Sequence, residues 1–110
     1  MKINIQSIAF TLRKELSDFV KGKVKKLNHL YSEIMRIEIS LKVNKSETKH
    51  NKVCRIMLVI PGYDMLANAQ RQTFEEAMAA AIEALERQIE KRKTKLIASR
   101  IVNNKLLPSL

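Results

Sequence analysis

Thr73-Phe-Glu-Glu-Ala-Met-Ala-Ala-Ala-Ile-Glu-Ala-Leu-Glu-Arg-Gln-Ile-Glu-Lys-Arg-Lys-Thr-Lys95 opens the longest regular stretch of the chain. Thr73 is placed to cap a helix, and Glu76, three residues on, can reach back to it, the pattern of a capping box. Phe74, Ala77, Met78, Ala81, Ile82, Leu85, Ile89 and Leu96 recur at helical spacing and define one buried stripe. The spacing predicts a single helix over 73–100. Acid comes first and base last, which suits the helix dipole. The dipole does not account for the density of charge, because five of the nine residues from Arg87 to Lys95 are cationic. Arg87, Lys91 and Lys95 lie four apart and stack as a ridge on one face.

Upstream of this helix the pattern is mostly that of strands. Residues 63–71 form a weakly patterned strand, 52–60 a longer one, and Pro61-Gly62 between them suits a type II turn. In 34–43, Ile37, Ile39, Leu41 and Val43 alternate with Arg36, Glu38, Ser40 and Lys42, so this strand has one apolar and one wet face. The polar stretch 44–51 reads as a hairpin loop. Leu12, Leu16, Phe19, Val20, Val24, Leu27 and Tyr31 keep helical spacing, with Thr11 as a candidate cap and Gly22 as a weak point in the interior. Residues 2–8 alternate and form a first short strand. The order β-α-β-β-β-α predicts an α+β fold, a two-layer sandwich of a four-stranded sheet with both helices on one face. One domain is expected over 1–100, followed by a C-terminal tail over 101–110 without periodicity.

The chain has 110 residues, 21 lysines and arginines against 11 carboxylates, and a net charge of +10. That balance points first to nucleic acid and second to an anionic membrane, with a crowded solvated surface as the plain alternative. Residues 1–6 have no apolar core of a signal peptide, and no run reaches membrane-spanning length. A lone cysteine, Cys54, inside a strand, suits a reducing compartment and a buried, inert thiol. A cytoplasmic protein is expected.

Two segments carry most of the charge. Residues 12–31 hold six cations, among them Lys21, Lys23, Lys25 and Lys26, against Glu15 and Asp18, and 87–100 hold six against Glu90. A membrane-binding helix would need a free apolar face, and here both apolar stripes are required by the core. Two tyrosines, three phenylalanines and no tryptophan leave little for stacking a row of single-stranded bases. Structured RNA, gripped through its backbone, fits better. Catalysis has little support: His29 and His50 have no metal-ligand spacing, and Gly22 and Gly62 make no phosphate loop. No metal, cofactor or small-molecule substrate is expected.

The chain resembles the ribosome hibernation-promoting factors, also called ribosome-associated translation inhibitors. The likeness lies in Met1-Lys-Ile-Asn-Ile-Gln-Ser7, Lys23-Val-Lys-Lys-Leu27 and the Val59-Ile-Pro-Gly62 turn. It is most specific in Thr73-Phe-Glu-Glu-Ala77, Ala84-Leu-Glu-Arg-Gln88 and Lys91-Arg-Lys-Thr-Lys95. The resemblance implies docking on the small ribosomal subunit in its tRNA and mRNA channel, with translation inhibited in stationary phase or starvation. It implies ribosomal RNA contacts by Lys23, Lys26, Arg87, Lys91, Lys93 and Lys95, and a protein that is monomeric off the ribosome. Many members carry aspartate where Thr73 stands. Longer members add a ribosome-dimerising domain, and the expectation here is the short form. A double-stranded-RNA module and a basic protein-interaction module with an acidic partner are the alternatives to this reading.

Overall fold

Alternating and helical patterns resolve into six elements: β1 (Lys2–Ile8), α1 (Lys14–Leu30), β2 (Arg36–Val43), β3 (Lys52–Ile60), β4 (Tyr63–Arg71) and α2 (Phe74–Lys105). The computed structural model describes residues 2–46 and 48–105, with side chains described through Arg92 outside residue 47. The strands form one sheet in the order β1-β2-β3-β4. β1 pairs parallel to β2, while β2–β3 and β3–β4 are antiparallel. A parallel pair cannot be closed by a tight turn, and α1 is the crossover between its strands.

Register places the apolar residues in rows across one face. Ile3, Ile37, Leu58 and Met65 form one row, Ile5, Ile39, Ile56 and Ala67 the next, and Ser7, Leu41, Cys54 and Ala69 a third. Val20, Val24 and Leu27 of α1 and Ala77, Met78, Ala81 and Leu85 of α2 join the same buried cluster. Both helices therefore cover one face, as expected, and the layers meet over apolar side chains alone among the described residues. The alanines facing each other from β4 and α2 let that helix approach its strand closely. The opposite face of the sheet carries Asn4, Glu38, Gln6, Ser40, Arg55 and Asn68, interrupted by the Met57–Leu66 pair.

The β3–β4 hairpin turns where Pro61-Gly62 predicts. Ile60 and Tyr63 pair directly, and Gly62 has φ +87°, the left-handed value that a type II turn demands at its second central residue. The start of α2 also follows expectation. Thr73 Oγ1 accepts the Glu76 backbone N–H at 3.1 Å, and the Glu76 carboxylate reaches back to the Thr73 hydroxyl at 3.2 Å.

Three boundaries differ. α1 starts at Lys14 behind Arg13, which caps it in an extended conformation without a side-chain bond, so Thr11 is not the cap. The cause is Phe10, whose ring stacks on Phe74 with centroids 4.7 Å apart. To place it there the chain turns through Ala9 at φ 69° and stays out of the helix until Arg13. β2 starts at Arg36 rather than at 34, because the Ile34 N–H turns back to the Tyr31 carbonyl. α2 continues through Lys105, beyond the expected end at 100 and into the segment read as tail. No glycine or proline interrupts 100–105, and each added residue gains a backbone bond once a helix is under way. The rest of that segment, 106–110, lies outside the described residues, as does the side chain of Leu96. Among the described residues, no helix is long and apolar enough to cross a membrane.

Candidate nucleic-acid interface

The sheet dictates how the two helices lie. Each helix runs back against the strand before it, and β4 points the same way as β1 and β2, so α1 and α2 run side by side in the same direction. Side-chain neighbours follow that course: Phe19 lies near Glu75 and Ala79, Lys23 and Lys26 near Ile82, Glu83 and Glu86, and Tyr31 near Arg92. Between the helices runs an open groove of about 300 Å³ with Phe19, Ala79 and Ile82 as apolar lining.

Lys23 and Lys26 line this groove together and are exposed. The Lys23 ammonium stands over the Phe19 ring, 5.4 Å from its centroid, a cation–π contact that orients the charge. Arg87 is exposed on α2 and bonds Glu83, which lines the same groove, at 2.7 Å. Lys91 is exposed one helical turn further on. All six expected contact residues therefore lie on the two neighbouring helices, and of the four whose side chains are described, three stand around one groove. The side chains of Lys93 and Lys95 lie outside the described ones.

The parallel course also mixes the charges. The lysines of α1 sit beside the acidic first half of α2, so Glu75, Glu83 and Glu86 share the groove with Lys23 and Lys26. Charge counted helix by helix misses this pairing. Nothing closer than an ion-pair distance joins the lysines to these carboxylates among the described residues, which leaves the lysines available to an outside anion.

A cluster absent from the sequence reading lies at the far end of the helix pair. Tyr31 ends α1, Tyr63 begins β4, and Arg92 reaches both from α2. The Arg92 guanidinium lies 3.8 Å from the Tyr63 ring centroid, and its Nε donates to the Tyr31 hydroxyl at 3.4 Å. Tyr31 also bonds Glu33 at 3.1 Å and Tyr63 at 3.2 Å. Burial first, and then the bond to Tyr31, push the Tyr63 phenol up to about 12, with Arg92 opposing the rise. The bond to Tyr31 raises the Arg92 guanidinium in turn. A signal was present in the sequence: positions 85, 89, 92 and 96 continue the apolar stripe of α2, and Arg92 is a cation on that stripe.

The chemistry offered by this surface is that of anion recognition. Ammonium and guanidinium groups stand on two rigid helices, and such groups bind phosphate by charge-assisted hydrogen bonds. Cys54 does not add a nucleophile, since its fully buried thiol is pushed up to about 12 by burial and donates to Met78 Sδ at 3.5 Å. His29 and His50 are both exposed, and no group of three or more potential metal ligands occurs among the described residues.

A small α+β sandwich whose paired helices carry exposed cations defines the class of fold. Within that class the chain belongs to the family described as sigma 54 modulation protein / S30EA ribosomal protein, whose profile matches residues 3–97. It is similar to a ribosome hibernation promoting factor from Pseudomonas putida KT2440, with 28% identity over 95 residues, 86% of this chain and 89% of that protein. The fold is shared with a ribosomal subunit interface protein from Coxiella burnetii, at a TM-score of 0.75 and 21% identity, covering 86% of this chain and 99% of that one. The N-terminal domain of Protein Y from Thermus thermophilus superposes with a TM-score of 0.70 at 17% identity, covering 83% and 98% of the two chains.

Proposed function

We propose that this protein is a cytoplasmic ribosome hibernation factor that docks on the small ribosomal subunit, in the channel used by tRNA and mRNA, and holds translation off in stationary phase or starvation. Lys23, Lys26, Arg87 and Lys91, with Lys93 and Lys95 further along α2, bind ribosomal RNA phosphates. The observation that carries the reading is the side-by-side course of α1 and α2, which sets exposed cations from both helices along one strip in a chain of this family. Phosphate contacts of this kind fix position without reading sequence, and a ribosomal site supplies the sequence-independent shape for them to grip. The action is occupation of a site, with no cofactor and no covalent step, by a protein that is a monomer off the ribosome.

Co-sedimentation with small subunits, large subunits and whole ribosomes across a salt series tests this. Stoichiometric binding to small subunits and whole ribosomes, falling steeply with salt, is the expected result, since each neutralised phosphate releases counterions. Binding to plain RNA duplexes as tight as to ribosomes would replace this function with that of a double-stranded-RNA module. Absence of ribosome binding at low salt would refute it.

A further inference from the structure

The cluster of Tyr31, Glu33, Tyr63 and Arg92 has a hydrogen count that fixes its direction. A phenolic oxygen has one proton to give and two lone pairs to offer. Glu33 is an acceptor when ionised, so the Tyr31 hydroxyl donates to it at 3.1 Å and its lone pairs receive the other two partners. Those partners are the Tyr63 hydroxyl at 3.2 Å and Arg92 Nε at 3.4 Å. Tyr31 is thereby saturated, and Arg92 is held at Nε while its plane rests on the Tyr63 ring. Its two Nη groups carry four further N–H bonds; the Tyr63 hydroxyl can engage one of them, and no carboxylate pairs with them among the described residues.

We propose that Arg92 is an RNA contact in its own right: the Tyr31–Tyr63 pair presets its guanidinium so that the Nη pair takes one backbone phosphate end-on. This deepens the ribosome-docking function and rests on it. An arginine is suited to the place because its planar fork matches phosphate, and a lysine could neither stack in that plane nor give an Nε–H to Tyr31. Side-chain freedom is lost when the protein folds rather than when it binds, which favours affinity. A phosphate is favoured over a protein carboxylate by the setting. Lys91 is the exposed neighbour of Arg92, Arg87 is exposed little more than a turn before it, and the nearest carboxylate in the cluster, Glu33, is already engaged by Tyr31. Arg92 thus extends the cationic strip from the groove around to the β3–β4 turn, where Tyr63 sits.

Binding of R92Q, R92K, Y63L and the R92Q/Y63L double variant to purified bacterial small ribosomal subunits, across a salt series and with thermal melts on the same samples, tests the proposal. R92Q is expected to weaken binding on the order of tenfold and to lower the magnitude of the slope of log K against log salt by about 0.7–0.9, one phosphate contact. R92K is expected to keep the slope and leave the affinity low. Y63L is expected to weaken binding in the wild-type background and to add nothing to R92Q, because its effect passes through Arg92. An R92Q protein with an unchanged slope and affinity within twofold, whatever its melting point, would reduce Arg92 to a staple between α2 and the hairpin and overturn the proposal. Full affinity in R92K would also overturn it. Wild-type protein that fails to bind small subunits would remove the ribosome-docking function itself, a result distinct from either.

Discussion

Gly22 and Gly62 look alike in the space around them and differ in what they do. A Cβ added at either position would meet no atom within 4 Å. Gly22 lies inside α1, where glycine costs about 0.5–1 kcal/mol relative to alanine through the freedom it loses on folding. Gly22→Ala is therefore expected to raise stability by roughly that amount, a rise of a few degrees in melting temperature by calorimetry. A drop instead would mean that α1 needs a bare backbone at this point. Gly62 sits at φ +87°, where an L side chain is strained whatever the space, so Gly62→Ala is expected to cost about 1–2 kcal/mol. The opposite signs come from backbone conformation alone. Conformation is also what hid the start of α1: Thr11 has the chemistry of a cap, and the Phe10–Phe74 stack takes the chain past it before the helix begins.

Among the elements, α2 presents the most concentrated charge. Reversing Arg87, Lys91 and Lys95 to glutamate is expected to abolish ribosome binding while moving the melting temperature by only a few degrees. Arg87 and Lys91 are exposed, and the one ion pair lost at Arg87 is an exposed i,i+4 pair with Glu83, worth about 0.3–0.5 kcal/mol. Retained affinity in a folded triple variant would remove this ridge from the interface. The strands β3 and β4 were legible to the residue, because the Pro-Gly turn sets where the hairpin folds, and pairing outward from it leaves one register that buries Cys54, Ile56, Leu58 and Ile60. The mixed charge of the groove was not legible. It follows from β1 pairing parallel to β2, which makes the two helices run the same way, and no local pattern in β1 states its partner or its direction. Arg92 was hidden for a related reason: Tyr31, Tyr63 and Arg92 are brought together only when the end of α1, the hairpin and α2 converge.

For the molecule as a whole, the buried and half-buried acids set an alkaline limit. The Cys54 thiol is raised from 9.0 to about 12, and the Tyr63 phenol from 10.0 to about 12. Both shifts favour the neutral form in the fold, so their contribution to stability is complete below pH 9 and is lost as pH climbs from 9 towards 12. Cys54→Ala is expected to lower stability at neutral pH, where it leaves a small void beside Met78, and to make the decline above pH 9 shallower; urea unfolding between pH 8 and 11 reads both. An equally steep decline in the variant would place the alkaline sensitivity elsewhere. Length has its own consequence. With 32 residues, α2 is about 48 Å long, and the nine-residue strands β3 and β4 beneath it reach only about 30 Å. Thirteen of its residues follow Arg92, an arm of about 20 Å at the usual helical rise. Such an arm multiplies angle into distance: a 10° tilt at Arg92 shifts the Lys105 end by about 3–4 Å, more than the length of a hydrogen bond. Side chains that never touch an anion, such as Leu85 and Ile89 under the helix, thereby set where the far end of α2 points.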